Sequence, residues 1–208
     1  LIPTYGPGVF TPYIENQFYI NKDGERFIKE DGRRDELARA ILEQKDKQIY
    51  IISDANTVKD GVVKSGKNID EKIGNGYAFK ADTLEELAEQ IGISYEKLQA
   101  SVDEFNNSLR NGNDPFGRQL FDKEFGVGPF YAGLTGPMVH HTMGGIKINE
   151  KAQAVNKDGN IIAGLYAAGE VTGGIHGSNR LGGNAIADIT VFGRVAGVNA
   201  AAEEAISK

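Results

Sequence analysis

Two adjacent histidines, His140 and His141, open the segment HHTMGG and are two of the three histidines in the chain. An imidazole can donate or accept a hydrogen bond, and it changes its charge near neutral pH. Because neighbouring side chains of an extended segment point to opposite faces, one ring can face a substrate while the other faces a second group, such as a cofactor. The pair is therefore a candidate for substrate and cofactor contact, and two hydrogen-bonded structural histidines are the alternative.

The same pattern argues against a metal site in this chain. The adjacent histidines lack the i, i+4 spacing of two ligands on one helix face, and the chain has no cysteine that could complete a ligand set. The third histidine, His176, is a further candidate whose simpler role is to shape its loop.

A glycine-rich turn, GSNRLGGNAIAD, precedes a segment of small and apolar residues at 184–205. Its glycines let a backbone approach a ligand closely, and the free N–H groups at the start of the helix predicted there favour an anion or an electron-rich oxygen. Arg180 lies in the turn, and its planar guanidinium suits two-point binding of a carboxylate. The alternative is a tight loop before a helix, with a solvated arginine.

Two further acidic features are ambiguous from sequence alone. Glu170 ends the small-residue strand predicted at 164–170, where dinucleotide-binding folds use an acid to bind a ribose hydroxyl, although the opening G-x-G-x-x-G motif is absent. A loop or helix cap is the simpler role for this residue. The segment ERFIKEDGRRD places Arg33 and Arg34 among four acids, which by default form a solvated ion-pair cluster of little energetic value. Those acids are Glu30, Asp31, Asp35 and Glu36.

Periodicity and turn residues predict the elements that must position these groups. Strands are expected at 17–21 and 25–28, on either side of an NKDG turn, and at 48–54. Helices are expected at 35–45 with Asp35 as cap, at 82–92 with an Asp82–Glu85 capping box, and at 94–112. Residues 113–138 are expected to be rich in loops. The final helix, over 184–205, is expected to be largely buried because its apolar residues cover nearly all faces.

Charge divides the chain into two regions. Residues 1–138 carry 17 basic and 23 acidic side chains, a net charge of −6, whereas residues 139–208 carry 6 of each. No basic face stands out, so no nucleic-acid partner is predicted. No apolar run approaches the roughly 20 residues of a membrane helix, so no membrane span is predicted.

Two segments of the chain resemble the flavoprotein subunit family of fumarate reductases and succinate dehydrogenases. They are HHTMGGI and GLYAAGEVTGGIHGSNRLGGNAIADITVFGRVAG. The resemblance points in particular to soluble flavocytochrome c-type fumarate reductases and to relatives that reduce urocanate and other 2-enoates. It is most specific over 139–197 and looser over 1–50, through PTY and GERF…RRD. It implies FAD as the cofactor.

By this resemblance, the fold is an α+β capping domain at 1–138 followed by the C-terminal part of a Rossmann-like α/β FAD-binding domain at 139–208. The N-terminal part of the FAD-binding domain, with its phosphate-binding glycines, is expected to lie outside this chain. An electron-donor domain or subunit is likewise expected outside it.

The resemblance also assigns roles by position. His140 and Arg180, with Gly183 beside it, correspond to contacts with the carboxylate of a small substrate, and Arg34 corresponds to an arginine that delivers a proton. The positions that correspond to FAD contacts are His141, Glu170, Ala185 and Ile186.

The implied reaction reduces the C=C bond of an α,β-unsaturated carboxylate by hydride transfer from flavin N5 and proton delivery from the arginine. Where fumarate reductases bind a second carboxylate with a histidine, this sequence has Ile2, with Tyr5 and Phe10 nearby, which favours a substrate with one carboxylate. Glu15 is a candidate for the glutamate of the proton relay. The alternatives are another flavin dehydrogenase on the same scaffold, such as a 3-ketosteroid dehydrogenase, and an isolated non-catalytic module.

Overall fold

The computed structural model describes residues 1–5, 14–59, 62–63, 72–74 and 76–203 of the chain. It contains two compact units, Leu1–Met138 and Val139–Lys208, which we call unit 1 and unit 2. Helices and strands occur in both units, so the architecture is mixed α and β.

Unit 1 is built on a five-stranded antiparallel sheet in which β7 is central. The sheet strands are β1 (Ile2–Tyr5), β2 (Gln17–Ile20), β3 (Ile49–Ser53), β6 (Ala78–Ala81) and β7 (Phe130–Met138), with a separate ladder of β4 (Val58–Lys59) and β5 (Val62–Val63). The helices are α1 (Arg34–Leu42), α2 (Leu84–Ile91) and α3 (Tyr95–Asn111). One edge of β7 pairs with β3, whose far edge pairs with β2, while the other edge of β7 pairs with β6 and then with β1.

Helices cover both faces of this sheet, and the alternation of strand side chains decides which residues meet which helix. Phe18 and Ile20 of β2 lie in the core that α2 and α3 complete, whereas Tyr19 lies in the core that α1 completes. Because both faces are covered, β2 and β3 are buried along their whole length, and the strand predicted at 48–54 is confirmed as β3.

Residues 113–129 contain no helix or strand, as the prediction of a loop-rich segment requires, but 130–138 form the strand β7, which that prediction did not include. Gly136 serves close packing within this strand, because a Cβ there would lie 2.7 Å from the carbonyl oxygen of Lys47. The prediction of a strand at 25–28 is wrong, although the preceding NKDG turn forms, with Gly24 at φ 86°. After that turn the chain leaves the sheet, because Arg26 enters a buried ion network and β3 takes the place beside β2.

Local signals placed the helices of unit 1 to within a few residues. The capping box of α2 uses Thr83 and Glu86 rather than the predicted Asp82 and Glu85, because Thr83 has the extended backbone that a cap requires. Gly92 ends α2 in the left-handed conformation, as expected. Asp35 lies in the first turn of α1 instead of capping it.

The described residues of unit 2 form two small ladders and one long helix. Its elements are β8 (Ile146–Lys147), β9 (Gln153–Val155), β10 (Ile161–Tyr166), β11 (Thr172–Gly173) and α4 (Asn184–Ala202). β9 and β10 form an antiparallel pair around the second NKDG turn, in which Gly159 donates to the carbonyl of Asn156 at 3.1 Å. β8 and β11 pair in parallel.

The prediction of a largely buried final helix is wrong for the part of it that the structure describes. Asp188 is the buried residue of α4, whereas Ile186, Val191 and Val198 are more than half exposed. An apolar composition shows that a helix needs a covering surface, but the described residues of unit 2 do not supply one. Among the described residues, α4 is the helix that is long and apolar enough to cross a membrane, a weak indication because buried core helices meet the same criterion.

Candidate active site

Unit 2 packs the backbone of the HHTMGG segment directly against that of the GEVTGG segment. Ile146 lies opposite Thr172 in the parallel ladder. A Cβ on Gly145 would lie 2.2 Å from the carbonyl oxygen of Val171, and a Cβ on Gly173 would lie 2.5 Å from the nitrogen of Gly145. These glycines therefore allow close approach of two backbones, and only a residue without a side chain fits at either position.

The adjacent histidines lie in different environments. His140 is exposed, whereas His141 is only 9% exposed. Nδ1 of His141 lies 3.6 Å from Oε2 of Glu170, and its ring centroid lies 5.2 Å from that of His176, with the ring planes 73° apart. The segment thus presents one accessible imidazole next to one that its neighbours confine.

Glu170 ties these segments together, but it does not end a strand as predicted. β10 stops at Tyr166, and Glu170 lies in a short 3-10 turn that begins at Gly169. Its Oε1 accepts a hydrogen bond from the backbone N–H of Thr142 at 3.0 Å, and its backbone carbonyl accepts one from the Thr142 hydroxyl at 3.2 Å. The Glu170 side chain is 52% exposed, so its carboxylate is accessible to a further donor.

A second histidine–carboxylate contact joins the loop before α4 to the helix itself. Nε2 of His176 lies 3.1 Å from Oδ2 of Asp188, and the two side chains are 10% and 3% exposed. Oδ1 of Asp188 has no hydrogen-bond partner among the described residues. Since a buried carboxylate is costly without donors, His176 stabilises Asp188. Sequence analysis did not identify Asp188, although a lone acid in the apolar first half of a helix is a recognisable signal.

Arg180 is buried, which contradicts the alternative of a solvated arginine. It is 8% exposed, and its Nη1 donates to the carbonyl of Leu181 at 3.1 Å. Its Nε has no partner within the part of the chain that the structure describes. A buried donor left unpaired costs about 1–3 kcal/mol, so a bound acceptor at this position would be strongly favoured.

The start of α4 is open and electropositive. The helix follows Gly183, whose φ is 86°, and it has neither a side-chain cap nor an acidic residue in its first turn. A Cβ on Gly183 would meet no atom within 4 Å. Ala185 is half-buried and Ile186 is exposed, and the Ile186 amide donates to the Gly183 carbonyl at 3.0 Å. The uncompensated N–H groups of such a helix end suit an anion or an electron-rich oxygen.

Arg34 belongs to a different unit from the other candidates. It lies at the start of α1 in unit 1, where it is exposed, while the remaining site residues belong to unit 2. Its neighbour Arg33 forms an exposed ion pair with Asp35 at 3.2 Å. Within unit 2, the structure brings His141 into contact with Glu170 and with His176, and His176 into contact with Asp188.

Glu30 is buried, so the prediction of a solvated charge cluster is wrong for this residue. Its Oε1 accepts from the Tyr19 backbone N–H at 3.1 Å, and its Oε2 accepts from Arg26 at 3.1 Å and from Arg118 at 3.0 Å. Arg26 also donates to Asp114 at 2.8 Å. Burial acts to raise the pKa of Asp114, but hydrogen bonds from Arg26 and the Arg118 backbone outweigh it, so the pKa is lowered. Spacing alone could not reveal this network, because its hydrogen-bonded partners are up to 88 residues apart.

The network extends to the turn that precedes Arg34. Asp31, next to Glu30, accepts hydrogen bonds from the backbone N–H groups of Gln119 at 2.7 Å and Leu120 at 3.1 Å. Two consecutive acids, Glu30 and Asp31, thus hold the turn that leads into α1 against the segment that follows α3. This fixes the backbone from which Arg34 projects.

Part of the predicted specificity region lies outside the described residues. Phe10 lies outside the described residues, as do the side chains of Ile2 and Tyr5. Oε2 of Glu15 is buried without a hydrogen-bond partner among the residues that are described. Within the same residues, no group of three or more metal-binding side chains could hold a metal ion.

Comparison with known families matches residues 15–186 to a family described as an FAD binding domain. An NADH:acrylate oxidoreductase from Vibrio harveyi is 46% identical over 187 residues, which cover 89% of this chain and 18% of that protein. A fumarate reductase (cytochrome) from Shewanella frigidimarina is 45% identical over 183 residues, which cover 88% of this chain and 31% of that protein.

A urocanate reductase from Eggerthella lenta is 41% identical over 193 residues, which cover 91% of this chain and 32% of that protein. The chain therefore spans between 18% and 32% of the length of these three relatives.

Solved structures give a matching picture of the fold. The open conformation of a flavocytochrome c3 fumarate reductase has a TM-score of 0.73 at 38% identity, covering 97% of this chain and 36% of that one. A 3-ketosteroid delta1-dehydrogenase from Sterolibacterium denitrificans has a TM-score of 0.72 at 22% identity, covering 97% and 42% respectively. At 22% identity, the likeness to the 3-ketosteroid dehydrogenase concerns the fold alone.

Proposed function

Since this chain belongs to the FAD binding domain family, we propose that it is part of a flavoenzyme that reduces the C=C bond of an α,β-unsaturated carboxylate. One observation carries the proposal: the buried guanidinium of Arg180 has an unpartnered Nε among the described residues and lies beside the uncapped start of α4. The relatives are named for acrylate, fumarate and urocanate, which share a carboxylate conjugated to a C=C bond. A buried arginine suits the group that these molecules have in common.

We assign unit 1 to a capping domain and unit 2 to the C-terminal part of a Rossmann-like FAD-binding domain. The exposed apolar surface of unit 2 supports this assignment. Ile161 and Ile162 of β10 are exposed, as are Ile186 and Val198 of α4, and an apolar surface of this kind needs a covering layer. Further segments of an FAD-binding domain would supply that layer, and an electron-donor domain or subunit would deliver the electrons.

The residues of unit 2 fit bound FAD. The accessible carboxylate of Glu170 would accept a hydrogen bond from a ribose hydroxyl, and His141, Ala185 and Ile186 would contact the flavin. FAD, when bound, supplies a hydride at its N5 position. The positive end of α4 would stabilise negative charge on an electron-rich oxygen placed near it.

His140 and Arg180 would bind the substrate carboxylate, and Gly183 would leave room for it. Both side chains would polarise the conjugated C=C bond and stabilise the enolate-like charge that develops on the carboxylate side. Burial strengthens this effect at Arg180, because a charge–charge interaction is larger where water is excluded.

Arg34 would deliver the proton to the carbon next to the carboxylate. A guanidinium has a pKa above about 12, so it needs a relay that replaces its proton from acidic neighbours. Glu15, whose Oε2 is buried without a partner among the described residues, is the candidate for the first member of that relay. Closure of the capping domain would exclude water from the reacting atoms.

The substrate that we propose carries one carboxylate and a less polar far end. Ile2 offers no donor for a second carboxylate, in contrast to the histidine of fumarate reductases. Acrylate, urocanate and cinnamate have the required form, whereas fumarate places a second charge at the far end.

The test uses the intact flavin-loaded protein, reduced by dithionite and mixed anaerobically with acrylate, urocanate, cinnamate or fumarate. We expect the monocarboxylates to reoxidise the flavin fastest. Arg180→Lys should raise the KM for a monocarboxylate about 10- to 100-fold, since a charge-assisted hydrogen bond is worth about 1.5–3 kcal/mol. Arg194→Lys, at an exposed position of α4, is the matched control and should leave KM unchanged.

Two results would contradict different parts of this reading. Much faster turnover of fumarate than of the monocarboxylates would reject the inference from Ile2. Failure of all four compounds to reoxidise the flavin would reject enoate reduction itself.

A further inference from the structure

The proposed function leaves one buried polar pair without a role. His176 lies in the loop before α4 and Asp188 lies one turn inside the helix, and both are nearly inaccessible to solvent. The ring of His176 lies against the ring of His141, with 5.2 Å between centroids. Three segments that are distant in sequence therefore meet through Asp188, His176 and His141.

The chemistry of the pair constrains the orientation of His176. A carboxylate that accepts in the 3.1 Å contact pairs with the Nε2–H tautomer of His176, so this is the tautomer that we expect. That bond favours one tautomer and holds the plane of the imidazole, as carboxylates hydrogen-bonded to the far nitrogen do for other functional histidines. The 73° angle between the rings then brings the edge of one imidazole towards the face of the other.

His141 is confined on a second side by Glu170, whose Oε2 lies 3.6 Å from its Nδ1. This is longer than an ordinary hydrogen bond, so the carboxylate alone does not fix the ring. The ring of His176 supplies the other boundary. Displacing His176 would therefore leave His141 with one loose electrostatic contact and room to rotate.

A purely structural role does not explain why the pair is polar. A buried histidine–carboxylate contact contributes less to stability than well-packed apolar side chains of similar size, and Oδ1 of Asp188 lacks a partner among the described residues. A pair of this kind suits a site where the orientation and tautomer of a neighbouring group matter.

We propose that His176 and Asp188 are positioning residues that hold the His141 imidazole in the orientation needed for contact with the flavin. The flavin contact rests on the proposed function, whereas the coupling from Asp188 through His176 to His141 does not. The two parts can therefore be tested separately.

The coupling is tested by NMR of the imidazole rings in the protein labelled with ¹⁵N and ¹³C histidine. We expect His176 to show the Nε2–H tautomer. Asp188→Asn and His176→Gln should both shift the ring resonances of His141, and Asp158→Asn, which removes the same charge from an exposed turn, should not. Unchanged His141 resonances in both variants, with folding verified by circular dichroism, would overturn the proposal.

The flavin contact is tested in the flavin-loaded protein by the absorbance spectrum and by steady-state kinetics with acrylate. We expect Asp188→Asn to shift the flavin absorbance bands and to lower kcat about 10- to 100-fold, the effect expected of a misplaced group, with little change in KM. Asp158→Asn should match the wild type.

Two other outcomes are also decisive. A higher KM with an unchanged kcat would show that the pair acts on substrate binding, which contradicts a role through His141. If the wild-type protein reduces no enoate, the proposed function fails, and the histidine resonances still decide whether the pair positions His141.

Discussion

Gly145→Ala is expected to disrupt the candidate site, because two backbones touch at this residue. The new Cβ would lie 2.2 Å from the carbonyl oxygen of Val171 and 2.8 Å from the carbonyl carbon of Thr172. Real Cβ atoms do not approach other atoms closer than 3.0 Å, so the two segments must separate by at least 0.8 Å, the difference between 3.0 and 2.2. Since the obstacle is backbone, no side-chain rotation can relieve it, and the pairing of β8 with β11 must open.

Overpacking of this kind costs about 1–3 kcal/mol. We expect the free energy of unfolding of unit 2 to fall by this amount, and the affinity for FAD to fall about 5- to 150-fold if opening the ladder displaces His141 and Glu170. Urea unfolding followed through NMR signals of unit 2 measures the first quantity, since a whole-chain probe would average two units. Fluorescence titration of the flavin-free protein with FAD measures the second.

Gly144→Ala is the matched control. It adds the same methyl group one residue earlier, where a Cβ would meet no atom within 4 Å. We expect wild-type stability and FAD affinity. A Gly145→Ala protein that is as stable as the Gly144→Ala protein and binds FAD equally well would refute the view that close backbone packing organises this site.

Three further predictions concern unit 1. Glu30→Gln removes the negative charge that two buried arginines, Arg26 and Arg118, share. It should lower the free energy of unfolding by about 3–5 kcal/mol in urea titrations. An equal loss in Glu36→Gln, at an exposed position, would contradict this explanation. Burial, followed by the Glu30 carboxylate, raises the pKa of Tyr19 from 10.0 to about 12. The stability that this shift contributes is complete below pH 10 and is lost as the pH rises through 12, a total of about 3 kcal/mol. Tyr19→Phe should remove this part of the pH dependence of the free energy of unfolding. Thr83→Ala removes the capping box with Glu86 and should lower the free energy of unfolding by about 1 kcal/mol in chemical denaturation. Thr83→Ser should retain most of the stability that the capping box contributes. Equal losses in both variants would show that the cap does not contribute.

Local features of the fold could be predicted from sequence because their causes are local. Gly92 ends α2 where the helix needs a left-handed residue, and both NKDG segments form turns because glycine accepts a positive φ. The run at 49–53 forms a buried strand because it is apolar on both faces. The motifs around His140 and Arg180 likewise identified an FAD-binding family, since these short patterns are specific.

Sequence patterns thus predicted where most helices and turns lie, which family the chain belongs to and which residues are candidates for chemistry. They did not show that β7 is a central strand, that Glu30 is buried among arginines, or that α4 buries Asp188 while Ile186, Val191 and Val198 are exposed. The tertiary structure shows these features and also that His141 meets His176. The physical reason is distance along the chain: helix caps and turns depend on residues within a few positions, whereas burial, ion pairing and the meeting of two imidazoles depend on segments tens of residues apart.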